Sequence, residues 1–214
     1  MLKALLLDFG GVISKSNFEI HPLTEKILGL PPGTLTWHGP FDPASDLLWQ
    51  AMQRDELTER EYWSQRAREI GELIGQTWMV NDYMAATKCA SPDEAIRPEA
   101  VETVKLAKAK GLKVGVLTNE LELFYGRACM DNISILREID MMVDATHTKI
   151  LKPRPEAYHF AINALGLAPH EILFVDDQMR NVIGGQNVGL EAFHFDFTRP
   201  AESYAQIRER LGLR

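Results

Sequence analysis

An apolar run that ends in an aspartate opens the chain: Leu5-Leu6-Leu7-Asp8-Phe9-Gly10-Gly11-Val12. A run of this kind, with no polar residue alternating through it, is the pattern of a strand buried on both faces, which requires a parallel sheet covered by helices. Such a strand cannot stand alone, because its backbone N–H and C=O groups would go unpaired. Its partners are legible further along. Val114-Gly115-Val116-Leu117 runs into Thr118-Asn119, and Ile172-Leu173-Phe174-Val175 runs into Asp176-Asp177. Open α/β sheets bind ligands outside the carboxyl ends of their strands. Each run therefore delivers polar groups to the edge where chemistry is done.

The second half alternates strand and helix. Pro98 opens a predicted helix through Val101, Val104 and Ala107 that ends near Gly111. Strands are predicted over 113–117, 141–144, 172–175 and 192–195, with helices after Pro155 (stopping at Gly166), near 182–187 and near 203–211. This order predicts an α/β fold, a doubly wound parallel sheet with helices on both faces. Residues 15–94 break the alternation. Leu47, Leu48, Ala51 and Met52 share one face of a predicted helix over 44–54, and Thr58-x-x-Glu61 forms a capping box before a longer helix through Tyr62, Ala67, Ile70 and Ile74. The expected division is a sheet domain from 1–14 and 95–214 with a helical insertion at 15–94.

Composition narrows the function classes. A net charge of −7 argues against nucleic acid as a partner. Cys89 and Cys129 are too few for a disulfide framework and match no zinc spacing. The opening apolar run is far too short for a signal-peptide core or a membrane span, so a cytoplasmic location without membrane association is expected. No sequence feature bears on oligomeric state.

Singly, the polar groups at the strand ends mean little. An Asp there is more often a turn former, Thr-Asn more often a helix cap, and Lys-Pro more often an exposed turn. In order they are Asp8, then Thr118-Asn119, then Lys152-Pro153-x-Pro155-x-x-Tyr158, then Phe174-Val175-Asp176-Asp177-x-x-x-Asn181 followed by Gly184 and Gly189. This set resembles the four signature motifs of the haloacid dehalogenase-like (HAD) hydrolases, and the resemblance spans nearly the whole chain. It implies a Rossmann-like doubly wound sheet with an inserted α-helical cap that closes over the active site and selects the substrate. It also implies a Mg²⁺-dependent phosphatase for a small phosphorylated metabolite, working through an aspartyl-phosphate on Asp8. By the same resemblance the metal ligands are Asp8, the carbonyl of Gly10 and an acid of the Asp176-Asp177 pair. Asp177 is the expected direct ligand and Asp176 lies behind it. Thr118 and the amide of Asn119 would bind the phosphoryl group, and Lys152 would neutralise Asp8 and the phosphate. Tyr158 reads as a packing residue.

Two positions depart from the family pattern. Most phosphatases of this kind carry a second aspartate two residues after the nucleophile, as general acid and base, where this chain has Gly10. Loss of a general acid typically costs about 10²–10⁴ in rate. Subgroups resembling the α-glucose-1-phosphatase and epoxide hydrolase N-terminal phosphatase type also read Asp-x-Gly, which leaves a water, a substrate group or a cap residue open as proton donor. The other departure is Lys149, where glycine is commoner. Two alternatives follow from these departures. A 2-haloacid dehalogenase needs no leaving-group acid, but dehalogenases resemble one another in lacking the metal and the acidic pair. A weakly active or inactive phosphate- and metal-binding protein is the other alternative, against which stand the retained Asp8, Lys152 and Asp177. In the insertion, Trp37, His38, Trp49, Trp63 and Arg66 are candidate substrate contacts. Aromatics at such spacing are more often core, His38 reads as solvated, and Arg66 is expected to pair with Glu69.

Overall fold

Five parallel strands line up in the order β3-β2-β1-β4-β5 in the computed structural model, which describes residues 1–213. They are β1 (Ala4–Leu7), β2 (Lys113–Thr118), β3 (Met141–Asp144), β4 (Ile172–Asp176) and β5 (Glu191–His194). The opening apolar run takes the central place, paired with β2 on one side and β4 on the other. That placement explains why it carries no polar residue: both edges and both faces are covered. Alternate side chains go to opposite faces. Leu5, Leu7, Val114, Val116, Leu173 and Val175 pack beneath the helices Pro98–Ala109 and Pro200–Leu211, while Leu6, Leu117 and Phe174 pack beneath the helix Pro155–Leu165. Burying each such side chain contributes about 1.5–3 kcal/mol.

The order reverses direction at β1, with β2 and β3 built outward on one side and β4 and β5 on the other. The crevice at such a switch point is where α/β sheets bind ligands. Register then fixes which residues meet there. Leu7 pairs with Val175 and the Asp8 N–H donates to the Val175 carbonyl, so Asp8 leaves β1 level with Asp176 at the end of β4.

Several element ends differ from the sequence expectation, each for a local reason. β2 and β4 run on to include Thr118 and Asp176, which are therefore strand residues with fixed backbones. The helix Met179–Asn187 starts earlier than 182 because the Asp176 carboxylate accepts from the Gln178 N–H and turns the chain at once. The helix expected over 44–54 is Leu47–Gln53, since Pro43–Ser45 forms a separate tight turn and Asp46 then caps the helix through the Trp49 N–H.

The chain divides into two compact units, one formed by Met1–Ser16 with the chain from Asp93 onward, the other by Asn17–Pro92. The second unit holds the helices His21–Leu28, Leu47–Gln53, Glu59–Leu73 and Val80–Thr87. Thr58 and Glu61 form the capping box at the start of its longest helix. Its core is aromatic. Phe18 meets Trp37, Trp49 and Trp63 at ring distances of 5.7, 5.3 and 5.4 Å, and buried Trp37 lies edge-on to buried His21 at 4.2 Å. Burial, with some help from neighbouring His38, pulls the His21 imidazole down to about 4, so it packs as a neutral ring. A buried carboxylate, Asp46, accepts from Tyr62 Oη at 2.6 Å and from Arg66, whose guanidinium lies 4.8 Å over Trp37 and also pairs with Glu69 at 2.6 Å. Trp37, Trp63 and Arg66 are thus held in this unit's own core, while His38 is exposed. No described helix is long and apolar enough to cross a membrane.

Candidate active site

Asp8 and Asp176 stand side by side at the carboxyl edge of the sheet because strand register puts them there, and two adjacent buried carboxylates need a cation. Lys152 supplies it. Its Nζ donates to Asp8 Oδ1 at 2.8 Å and to Asp176 Oδ2 at 2.6 Å, and all three residues are buried. Lys152 arrives from the loop after β3, and its backbone is fixed by Asn119. The Lys152 N–H donates to Asn119 Oδ1 at 2.9 Å, and Asn119 Nδ2 donates to the Lys152 carbonyl at 3.3 Å. The Asn119 side chain therefore aims the lysine, leaving only its backbone amide for a ligand. Thr118 ends β2, buried at the same edge.

The other oxygen of Asp176 is also engaged. Oδ1 accepts from the Gln178 N–H at 2.9 Å and from Asn181 Nδ2 at 3.1 Å. Asn181 is in turn tied down through its carbonyl, which accepts from Tyr158 Oη at 2.7 Å. Tyr158 is fully buried and edge-on to Phe174, in keeping with a packing role. These bonds account for the spacing Asp176-x-x-x-x-Asn181 and for the tyrosine after Pro155.

Asp177 is only half-buried, and one oxygen each from Asp8, Asp176 and Asp177 lie within 4.8 Å of one another. Gly11 makes this approach possible. Its φ is +72°, and a Cβ there would stand 2.6 Å from Asp177 Oδ2. Gly10 differs: it is exposed, its φ of −67° suits any L residue, and a Cβ would meet nothing within 4 Å.

The electrostatics follow from the count of charges. Three carboxyl groups gather at one spot, and the Lys152 ammonium pairs with two of them, Asp8 and Asp176. Burial raises the Asp8 carboxyl to about 7; Lys152 opposes the shift and the Asp176 charge adds to it. Burial pulls the Lys152 ammonium down, but the two carboxylates together push it above its ordinary value. A lysine held this way is a permanent cation and not a proton donor near neutrality. The donor set, all carboxylate oxygen, fits a hard dication. Both oxygens of Asp176 already hold other groups.

Every residue the sequence pointed to at this edge lies in the same unit and at the same end of the sheet. Two bracing residues were not singled out. Arg97 donates to the Gly11 carbonyl through Nε at 3.0 Å and Nη2 at 2.9 Å, and Tyr204 Oη donates to the Val12 carbonyl at 3.0 Å. Lys149 adopts φ +60° where the chain turns toward Lys152, which is why glycine suits that position.

Comparison with known proteins agrees with the fold. The model of the haloacid dehalogenase-like hydrolase family matches residues 2–189. Acyl-CoA dehydrogenase family member 10 of Mus musculus is 24% identical over 211 residues, 98% of this chain and 19% of that longer protein. Phosphatase MT3486 of Mycobacterium tuberculosis is 30% identical over 138 residues, 64% of this chain and 60% of the relative. Both matches span less than two thirds of the relative's length. A HAD phosphatase from Thermococcus onnurineus superposes with a TM-score of 0.61 at 17% identity, covering 99% of this chain and 98% of that one. An L-2-haloacid dehalogenase from Xanthobacter autotrophicus with chloropropionic acid covalently bound gives 0.58 at 20%, covering 91% and 77%. At such identities the structures speak for the fold alone, and they include both kinds of chemistry. The family model, in contrast, covers four of the five strands and every residue of the crevice, and by that match the chain belongs to the haloacid dehalogenase-like hydrolases.

Proposed function

We propose that this hydrolase is a Mg²⁺-dependent phosphatase that acts on a small phosphorylated metabolite through attack of Asp8 on phosphorus. The observation that carries the reading is the convergence of Asp8, Asp176 and Asp177 within 4.8 Å, with Lys152 bonded to the first two. Asp8, the Gly10 carbonyl and Asp177 would hold the metal, which when bound neutralises charge on the phosphoryl oxygens. Asp8 forms the bond to phosphorus as the ester oxygen departs, and water then cleaves the aspartyl-phosphate. Lys152 holds Asp8 in place and offsets negative charge as the phosphoryl group approaches. Asn119 keeps the lysine aimed, while Thr118 and the Asn119 amide receive the phosphoryl oxygens. The helical unit Asn17–Pro92 takes the part of the cap that selects the substrate.

Dehalogenation is the competing reading. An acidic pair that draws in a dication has a clear use at a phosphate and little at a carbon–halogen bond, which favours the phosphatase. The test is hydrolysis of p-nitrophenyl phosphate with and without Mg²⁺, by the wild type and Asp8→Asn. Turnover that needs both Mg²⁺ and Asp8 is expected. Halide release from 2-haloacids with no phosphate release would reverse the assignment.

A further inference from the structure

The turn that follows Asp8 contains two consecutive glycines, the most conformationally free pair a chain can place beside a reacting group. It is nevertheless held in one shape. Gly11 sits at φ +72°, a value that brings its backbone against the Asp177 carboxylate. The Gly10 carbonyl lies in the peptide immediately before, so its direction depends on the same torsion. Within the turn the Ser14 N–H donates to the Phe9 carbonyl at 2.9 Å, and a contact from outside adds to it.

Arg97 supplies that contact. It is buried, 86 residues away in sequence, and aims Nε and Nη2 of its guanidinium at the single Gly11 carbonyl at 3.0 and 2.9 Å. Its backbone N–H donates to the Ile13 carbonyl, and Ser14 pairs with Ile96 in a short antiparallel bridge beside it. Its cation lies 5.6 Å over the Phe195 ring, which helps to anchor the guanidinium. A planar fork with two N–H groups on one oxygen restricts both position and orientation of a peptide.

We infer that Arg97 is the positioning residue that sets the Gly10–Gly11 turn for metal binding; this rests on reading the crevice as a Mg²⁺ site. Arg97 acts through the Gly11 carbonyl: with that peptide plane held, the φ and ψ of Gly11 relate it to the Gly10 carbonyl on the other side of the same Cα. Tyr204 provides an internal control. Its hydroxyl braces the next carbonyl, Val12, from a fully buried position, but beyond the torsions that direct Gly10.

The experiment is isothermal titration of the full chain with Mg²⁺ alone, for the wild type, Arg97→Met, Arg97→Lys and Tyr204→Phe, with the thermal midpoint of each measured in parallel. Groups that orient metal ligands from behind typically change affinity by about 10–100-fold when removed, and Arg97→Met is expected to fall in that range. Arg97→Lys keeps the charge but cannot put two N–H groups on one carbonyl, so a several-fold weakening is expected. It decides the matter if the methionine variant does not fold. Tyr204→Phe should lower the thermal midpoint and leave Mg²⁺ affinity near that of the wild type. Wild-type affinity in both Arg97 variants, or equal weakening in Tyr204→Phe, overturns the inference and reduces Arg97 to a brace of the fold. A wild type that binds no Mg²⁺ removes the metal reading of the crevice, and this inference with it.

Discussion

On the proposed phosphatase reading, replacing Gly10 by aspartate should supply a leaving-group acid beside Asp8. The structure permits the change. Gly10 has φ −67° and ψ +130°, ordinary values for any L residue, and a Cβ would meet no atom within 4 Å. Loss of glycine freedom in the unfolded chain stabilises by about 0.4–1 kcal/mol, which repulsion from Asp8 and Asp177 opposes, so the fold should survive. The new carboxyl would stand two residues from the nucleophile at the open mouth of the crevice. A positioned general acid contributes about 10²–10⁴ in rate, or roughly 3–5 kcal/mol of transition-state stabilisation. That gain applies only where the departing oxygen needs a proton. The assay is kcat/KM for p-nitrophenyl phosphate and for glycerol phosphate, with saturating Mg²⁺, in both proteins. The alkyl ester should gain by that factor, and the nitrophenyl ester, whose phenolate leaves unaided, should barely change. Equal effects on the two esters, in protein that still binds Mg²⁺, would refute the reasoning that the position beside Gly10 is where the proton donor is missing.

Four further outcomes follow from the same geometry. Asp8 titrates near 7, above its ordinary value, and its proton competes with the metal. Mg²⁺ affinity should therefore rise about tenfold from pH 6 to pH 8 and level off above, and a flat profile by calorimetry would count against the buried Asp8. Lys152→Met leaves two buried carboxylates facing each other, and urea unfolding of the metal-free protein should show a loss of about 3–5 kcal/mol together with loss of turnover. Asp46→Ala strands the Arg66 cation and the Tyr62 hydroxyl in the helical unit, with a comparable loss of about 3–5 kcal/mol expected; a loss below about 1 would mean the buried pair contributes little. Gly11→Ala forces a Cβ into the left-handed region at a cost of about 1–2 kcal/mol and against Asp177, so calorimetry should show weaker Mg²⁺ binding and the thermal midpoint should fall by a few degrees.

The sheet was readable because its signals are local. A strand buried on both faces must be apolar throughout, and β1, β2 and β4 announce themselves by that rule alone. The polar residues that end them are legible for the same reason, since a carboxylate that closes an apolar run has only the strand's end to occupy. What the runs could not show was where they stop. Thr118 and Asp176 belong to the strands because ladder bonds to neighbours, and not their own side chains, decide the matter. The start of the helix at Leu47 depended likewise on Asp46, whose cap to Trp49 is a local signal, while its bonds to Tyr62 and Arg66 lie 16 and 20 residues away.

The groups that hold the crevice in shape are of a different kind, and Arg97 shows why. In the sequence it is the residue before a proline at the start of a helix, and its backbone has the extended angles that such a position imposes, φ −72° and ψ +126°. Nothing in its neighbours distinguishes it from an exposed arginine. Its importance comes from a carbonyl at Gly11, a group every residue possesses and no sequence marks. Asn119 is the intermediate case. Its motif was visible, but its partner is the backbone of Lys152, 33 residues on, so the spacing could suggest a ligand contact where the side chain serves to aim the lysine. Side chains that meet a ligand can be recognised by type, because the chemistry demands particular atoms. Side chains that position the backbone meet only peptide groups, which are the same everywhere along the chain. Their roles become visible only when the fold has brought the two together.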